Sequence, residues 1–504
     1  MLMKPDDRHN RTLIDNVHPA DWVNPTPQSR YNLVVIGAGS GGLITASLAA
    51  GLGAKVALIE RHLLGGDCLN VGCVPSKGVI RASRIAAEVQ LARTLGLELP
   101  EDANLDFGLA MARMRGIRAD ISHEDSARRY TDELGVDVFF GQASFSGPQS
   151  VDVDGTELRF ARCVIASGAR AFQLPAAGFA EVGALDNETV FTLTERPERL
   201  AVIGAGPIGC ELAQAFRRLG SEVVLIHEHE HILDREDRDA AAIVQEVFRA
   251  EGIELELGAR VVAAALKNGQ KQLIFQREDG SQGDVLADQI LVGVGRQPNV
   301  EGMNLEKVGV EYDTRRGIQV DDQLRTTARN IYAVGDVCMA WKFTHAADAA
   351  AKIVVRNALF PGNQKLSALT MPWATYTSPE IAHVGLYAHE AEQRGIAIDT
   401  YQVPLDQVNR AVADGEAKGF LKVHTVKGKD RILGATLVAS HAGDMISQIT
   451  QAMVTGKGLS ALSGVIFPYP TQAEIIKRAS SAYLKGRFTP FARRVLERYF
   501  AFRR

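Results

Sequence analysis

Cysteine is scarce in this chain. The 504 residues hold five, Cys68, Cys73, Cys163, Cys210 and Cys338, an odd and small set that excludes the disulfide framework of a compact secreted protein. No stretch offers the roughly 18 uninterrupted apolar residues that a spanning helix needs, so none is expected. Residues 1–27 are polar and carry no apolar run, so they are not expected to act as a secretory signal. The default location is the cytoplasm. A formal net charge of −4 gives no reason to expect a nucleic-acid partner. What remains is an ordinary soluble globular composition, 46% hydrophobic and 23% charged, in a chain too long for one core and pointing to about three domains. Glycine is plentiful at 47, as expected where backbone must approach a nucleotide closely.

Residues 1–30 read as an extended arm, because Pro19, Pro25 and Pro27 disfavour helix, with Trp22 packing it on the body. The apolar run Asn32–Ile36 then reads as a buried strand, followed by Gly37-Ala38-Gly39-Ser40-Gly41-Gly42 opening an apolar helix. A second strand, Lys55–Glu60, ends in an acid. That order of strand, glycine loop, helix, strand and acid is what makes a GxGxxG match a dinucleotide fingerprint. Gly37, Gly39 and Gly42 let backbone and helix N-terminus meet a pyrophosphate, and Glu60 would bind ribose hydroxyls.

Within ten residues of Glu60 comes Gly65-Gly66-Asp67-Cys68-Leu69-Asn70-Val71-Gly72-Cys73-Val74-Pro75-Ser76-Lys77. A zinc site needs about four ligands, and no second Cys/His pair stands at suitable spacing. A close cysteine pair beside a dinucleotide loop, in a reducing compartment, reads instead as a catalytic disulfide. Gly66 is counted with the cofactor-binding glycines. Residues 81–135 look helical, and Arg81, Arg84, Arg113, Arg115 and Arg118 are expected on solvated faces. Strand signals follow at Val136–Phe140, Ser150–Val153 and Glu157–Phe160. Cys163 is expected in an apolar strand of the core.

A second fingerprint opens at Leu200-Ala201-Val202-Ile203-Gly204-Ala205-Gly206-Pro207-Ile208-Gly209, offset from the first by 167 residues throughout. The chain therefore contains two related dinucleotide folds. The offset places His227 where Glu60 stands, with Glu228 next. The alternation His227-Glu228-His229-Glu230-His231 also invites a metal reading, because alternate residues share a strand face. A strand-end surface loop is the preferred account, and no metal site is assigned.

Together, the cysteine motif and the two glycine loops resemble the flavin-dependent pyridine nucleotide–disulfide oxidoreductases. That family includes glutathione reductase, dihydrolipoamide dehydrogenase and mercuric reductase, and the resemblance spans about 31–483. It implies an α/β fold of two Rossmann-like dinucleotide-binding domains, one for FAD and one for NAD(P), plus a C-terminal α/β dimerisation domain. The expected divisions are an arm at 1–30, an FAD domain at 31–170 and 294–365, an NAD(P) domain at 171–293, an interface domain at 366–484 and a tail at 485–504. By resemblance, Cys73 faces the flavin as charge-transfer thiol, Cys68 is the interchange thiol, and Lys77, paired with Glu211, stabilises the reduced flavin. Hydride would pass from nicotinamide to flavin, and the reduced flavin would open the Cys68–Cys73 disulfide. Ser167 and Gly168 mark the exit from the flavin domain and Gly295 the return. Asp336 is the expected ribityl ligand, and Thr344 and His345 open a helix aimed at the flavin ring. Relatives that bind NADPH place arginine near His227; Glu228 would repel a 2′-phosphate, so NADH is the leaning. A homodimer is implied, with the partner lending C-terminal residues to the site.

The departures matter as much. Thiol reductases of the family carry His-Pro-Thr-x-x-Glu near the C-terminus, where this chain has Tyr469-Pro470-Thr471-Gln472-Ala473-Glu474. A phenol with a pKa near ~10 is a poor base at neutral pH. Mercuric reductase shares the tyrosine, but it delivers Hg(II) through a C-terminal cysteine pair, and this chain has no cysteine after Cys338. Pro207 stands where glutathione reductase places a gating tyrosine. The expected activity is an FAD-dependent reductase of a soft-metal or disulfide substrate, mercuric-reductase-like, with Cys68, Cys73, Lys77, Glu211, Tyr469 and Glu474 at its centre. A reductase of an unidentified disulfide and a docked electron-transfer module are the alternatives. From Lys485 onward there are seven basic residues against one acid, Glu497, interleaved with Phe488, Phe491, Tyr499, Phe500 and Phe502. Such a helix can sit weakly on an anionic membrane surface, although packing along the dimer is the plainer reading.

Overall fold

The apolar strands at 31–36 and 56–60 alternate with helices, and this forces a parallel sheet covered on both faces. The computed structural model describes residues 3–98, 100 and 105–504. Its first sheet is built from β1 (Tyr31–Ile36), β2 (Val56–Glu60), β3 (Asp137–Phe140), β4 (Ala143–Gly147), β5 (Ser150–Val153) and β6 (Thr156–Ile165), in the order β3-β2-β1-β6-β5-β4. The pairs from β3 to β6 are parallel, and β6-β5-β4 is an antiparallel meander. The second sheet holds β7 (Arg199–Ile203), β8 (Glu222–His227), β9 (Glu254–Leu257) and β10 (Gln289–Val292), all parallel, in the order β9-β8-β7-β10. β11 (Ile331–Ala333) returns to the first sheet beside β6.

The 167-residue repeat is carried into the register. Ile36 pairs with Ile59 and Ile203 with Ile226. The Gly37 N–H donates to Ile59 O at 2.8 Å, and the Gly204 N–H donates to Ile226 O at 2.9 Å. Each strand then turns through a glycine at positive φ, Gly37 at 100° and Gly204 at 95°, into helices α2 (Ser40–Gly51) and α6 (Pro207–Arg218). The turns are backbone against backbone. A Cβ on Gly42 would lie 1.8 Å from Gly37 O, and one on Gly209 would lie 1.9 Å from Gly204 O.

The N-terminal segment is not the extended arm its prolines predict. Arg8–Val17 forms a helix, α1, that falls between Pro5 and Pro19 and contains neither. Asp7 caps it by accepting the Asn10 N–H at 2.9 Å, and Leu13 and Val17 are fully buried. The helix packs on α5 (Phe107–Ile121), and this overturns a second expectation. Arg115 and Arg118 are not on solvated faces: they are buried, 6% and 2% exposed. Arg115 sits 2.6 Å from Asp7. Arg118 donates to Asn10 Oδ1 at 2.5 Å and to Asn70 O at 2.7 Å. Asp7 and Asn10 both lie 108 residues upstream of the arginines they meet, so charge patterning within the helix could not reveal them. Beyond α1 the chain turns at Ala20 and Asp21 and then runs without helix or strand to residue 30, with the Trp22 ring edge-on to Phe140 at 5.7 Å.

The chain forms two compact units. One runs to Glu228 and includes Gly252–Leu369; the other joins His229–Glu251 to Thr370–Arg504. In the second unit a five-stranded antiparallel sheet (Pro372–Thr375, Glu380–Gly385, Ile398–Pro404, Phe420–Val426 and Ile432–Ala439) packs Leu421, Leu437, Ile475 and Tyr483 into one core. The inserted helix α7 (Arg238–Ala250) is held there by charge and aromatic contacts. Lys422 Nζ lies 2.8 Å from Asp237 and 2.7 Å from Asp239. Trp373 Nε1 and the Tyr387 hydroxyl both donate to the Glu236 carboxylate, at 3.0 and 2.7 Å.

The glycine geometry separates folding from binding. Gly209→Ala is expected to destabilise the apoprotein by about 3 kcal/mol through overlap with backbone. Gly206 has nothing within 4 Å of its Cβ position, so Gly206→Ala is expected to leave the melting temperature unchanged while weakening dinucleotide binding. Thermal melts and nucleotide titration of both variants check this; equal melting temperatures would contradict it.

Candidate active site

The two cysteines stand at the junction of two helices. Cys68 lies in the short helix α3 (Gly66–Asn70), and Cys73 is the first residue of the 22-residue helix α4 (Cys73–Thr94). Both are free thiols in this structure. At the N-terminus of a long helix the unpaired backbone N–H groups favour a thiolate. Hydrogen bonding from the Cys68 thiol holds the Cys73 thiol well below its ordinary value. Burial opposes that shift, while the Thr344 hydroxyl, 3.5 Å from the Cys73 sulfur, and the Lys77 charge reinforce it. The Cys68 thiol is pushed up by the same hydrogen bond, by burial and by the neighbouring charge. One turn along α4, Lys77 Nζ lies 2.9 Å from Glu211 Oε2 on α6, whose side chain is 7% exposed.

One acid near the pair was not visible in the sequence. Asp125 faces the N-cap of α3, where a Cβ on Gly65 would lie 3.0 Å from its Oδ2. Burial raises its carboxyl to about 6, and its charge is felt at Cys68. A lone Asp in a turn carries no sequence signal; only the fold brings it here.

The first glycine turn makes a cradle for a dinucleotide. Gly66, at φ 54°, presses on Gly39: a Cβ on Gly66 would lie 2.5 Å from the Gly39 α-carbon. The Glu60 carboxylate accepts the Ala38 N–H at 2.7 Å and the His62 N–H at 2.8 Å, and burial raises its pKa against those donors. A cleft opens at this strand end between Gly37, Glu60, Arg61, Gln142, Ser167 and Asn299. The Ser167 hydroxyl donates to Asn299 O at 2.7 Å, and Asn299 Nδ2 donates to Ser167 O at 2.9 Å. Gly168 and Gly295, at φ 67° and 126°, turn the chain out and back. Arg296 was missed: it pairs with Asp67 and lies 3.2 Å from Asp336 Oδ2, joining the cysteine segment to the β11 end. Burial raises the Asp336 carboxyl, and Arg296 counters it. Small residues where backbone must approach a ligand, with a half-buried carboxylate at the strand end, fit FAD.

The second turn repeats the first with one substitution. His227 ends β8, buried, and its Nδ1 accepts the Ala205 N–H at 3.3 Å, as Glu60 accepts that of Ala38. Glu228 beside it is exposed. Thr344 and His345 open helix α8 (Thr344–Leu359); His345 is exposed and stacked on Phe343 with ring centres 5.3 Å apart. Tyr469 and Glu474 belong to the C-terminal unit. Tyr469 is 70% exposed, and its hydroxyl accepts from Asn409 Nδ2 at 2.9 Å. Glu474 begins helix α9 (Glu474–Gly486) and accepts from Arg478 at 3.1 Å, while its Oε2 is buried with no hydrogen-bond partner among the described residues.

Residues 31–351 match the family model for pyridine nucleotide-disulphide oxidoreductase. The chain belongs to that family. It is a flavoprotein oxidoreductase that binds FAD and a nicotinamide dinucleotide. Residues 371–480 match the family's dimerisation domain, which marks the chain as a homodimer. It is 34% identical to mercuric reductase of Bacillus cereus over 449 residues, which are 89% of this chain and 71% of that one. It is also 34% identical to dihydrolipoyl dehydrogenase of Thermus scotoductus, over 90% of this chain and 98% of that one. The solved structure of the HOCl-induced flavoprotein disulfide reductase RclA from Escherichia coli superposes with a TM-score of 0.80 at 28% identity, covering 90% of this chain and 99% of RclA. Among the described residues no helix is long and apolar enough to cross a membrane.

The Cys68 hydrogen bond, with Thr344 and Lys77 reinforcing it, gives Cys73 a measurable titration. In the reduced protein, alkylation of Cys73 is expected to rise with pH through about 6. Lys77→Met removes a positive neighbour and should move that midpoint upward, towards the ~8.5 of a free thiol. A midpoint unmoved by the substitution would show that Lys77 does not govern the thiolate.

Proposed function

We propose that this chain is an NAD(P)H-dependent reductase whose Cys68–Cys73 pair reduces a thiophilic metal ion of the Hg(II) type. Bound FAD supplies the relay of an electron pair between nicotinamide and the cysteines. Gly37, Gly39, Gly42, Gly66 and Glu60 would hold its adenosine and pyrophosphate part, with Asp336 at the ribityl chain. Cys73, with its lowered pKa, is the flavin-side thiolate, and Cys68 is the thiol that meets substrate. Lys77 and Glu211 fix the charge beside that thiolate.

Tyr469 carries the choice of substrate. Reducing a disulfide releases two thiols and takes up two protons, so it calls for a base-acid group beside Cys68. Delivering two electrons to a thiolate-bound soft ion takes up no proton, and a phenol is then no obstacle. The Cu(II) complex solved for RclA, aligned over 90% of this chain, lends support from a relative. A disulfide substrate is favoured instead by the dihydrolipoyl dehydrogenase alignment, which spans nearly the whole of that relative.

Anaerobic turnover with Hg(II), Cu(II), lipoamide and glutathione disulfide separates the two. The wild-type protein is expected to turn over a metal ion faster than either disulfide, and Tyr469→His to raise disulfide reduction by ~10-fold or more. Disulfide turnover that dominates in the wild type, or no gain in the variant, would defeat the metal reading.

We further infer that NADH is preferred, because Glu228 stands next to the position of the ribose-binding residue and would repel a 2′-phosphate. Glu228→Gln should raise kcat/KM for NADPH and leave that for NADH in place. An unchanged ratio would remove the basis for the preference.

A further inference from the structure

The last twenty residues include a helix that the rest of the protein leaves uncovered. Pro490 at its first position and Thr489, whose side chain accepts the Ala492 N–H at 3.2 Å, start helix α10 (Pro490–Phe502). None of its thirteen residues is buried, and Phe491 and Phe502 are 74% and 90% exposed. At 3.6 residues per turn, Phe491, Val495, Tyr499 and Phe502 form one stripe, which Leu496 and Phe500 widen. Arg493, Arg494, Glu497 and Arg498 share the opposite side. Glu497, the one acid after Lys485, is held by Arg493 at 3.0 Å. Arg494 and Arg498 make no ion pair among the described residues. Arg503 lies over the Tyr499 ring at 5.8 Å, so its charge sits at the edge of the apolar stripe.

We infer that α10 docks on an anionic lipid surface, lying in the plane of the headgroups with its aromatic stripe inserted. Charge chooses between possible occupants. Seven basic residues against one acid give the segment a formal charge of +6 (7 − 1), so a second copy of the same helix would bring like charge against like charge. The match to the family's dimerisation domain ends at residue 480, ahead of the segment. A helix of thirteen residues is about 20 Å long, too short to cross the ~30 Å hydrocarbon layer. Its mixture of aromatic stripe and arginine face is that of a helix parallel to the membrane. Arginine stems pack along the acyl boundary while the guanidinium groups meet lipid phosphates. This docking is independent of which substrate the cysteines reduce.

Flotation of the full-length flavoprotein homodimer with vesicles tests it. Protein should rise with phosphatidylcholine vesicles that contain phosphatidylglycerol, stay behind with phosphatidylcholine alone, and be released by added salt. Arg494→Glu with Arg498→Glu should lower the bound fraction by roughly tenfold or more, and Phe491→Ser with Phe502→Ser should abolish binding. Because α10 buries nothing, both variants should keep NADH oxidation and FAD content. Three results would overturn the inference: no flotation with the anionic vesicles, flotation that the variants leave intact, or variants that sediment as monomers, which would make a second copy the occupant.

Discussion

A buried carboxylate needs a cation, and in this protein that need ties the redox helix to the second nucleotide fold. Glu211 sits inside the packing of α6, and Lys77 reaches it from α4. The carboxylate is the buried member and the lysine keeps about a third of its surface in solvent, so removing Lys77 costs more than removing Glu211. The pair therefore does more than a surface ion pair, whose net effect is about 0 to 1 kcal/mol. It holds Lys77 one turn beyond Cys73, where the lysine charge lowers the thiol and the Glu211 charge acts against it. The cysteines are consequently coupled to the helix that begins at the second glycine turn.

The two nucleotide turns show how one backbone solution accepts two side-chain solutions. In both, a glycine without a Cβ lets helix backbone rest on strand backbone, and in both the alanine after the first glycine donates its N–H to the residue ending the next strand. A carboxylate does this in the first fold and an imidazole in the second. Glu60 engages both carboxylate oxygens, one with the Ala38 N–H and one with the His62 N–H, whereas His227 meets the Ala205 N–H through Nδ1. The duplication preserves the turn while changing the side chain at the strand end.

Much of this was legible in the sequence for physical reasons. Continuous apolar strands, glycines at obligatory close contacts and a cysteine pair at the start of a helix are local patterns, and local patterns survive in a string of residues. The 167-residue offset fixed equivalences down to the strand register. Features built from distant partners were hidden. Helix α1 was obscured by flanking prolines, and its anchors Arg115 and Arg118 read as surface charges because Asp7 and Asn10 lie so far upstream. Asp125 and Arg296 join the site only through tertiary packing. The grouping of His229–Glu251 with the C-terminal unit rests on Lys422, Trp373 and Tyr387, which no local pattern connects to α7.

The departures at Tyr469 and in the last helix are where family membership stops constraining function. The proposed chemistry requires Cys68 and Cys73 to lie in the electron path. The most direct measurement is anaerobic addition of one equivalent of NADH per subunit to the oxidised flavoprotein, following flavin absorbance while trapping thiols by alkylation and locating them by mass spectrometry. Cys68 is expected to become alkylatable while the flavin remains yellow. If the flavin bleaches and Cys68 labelling does not change, the cysteines are outside the path and the proposed chemistry is wrong.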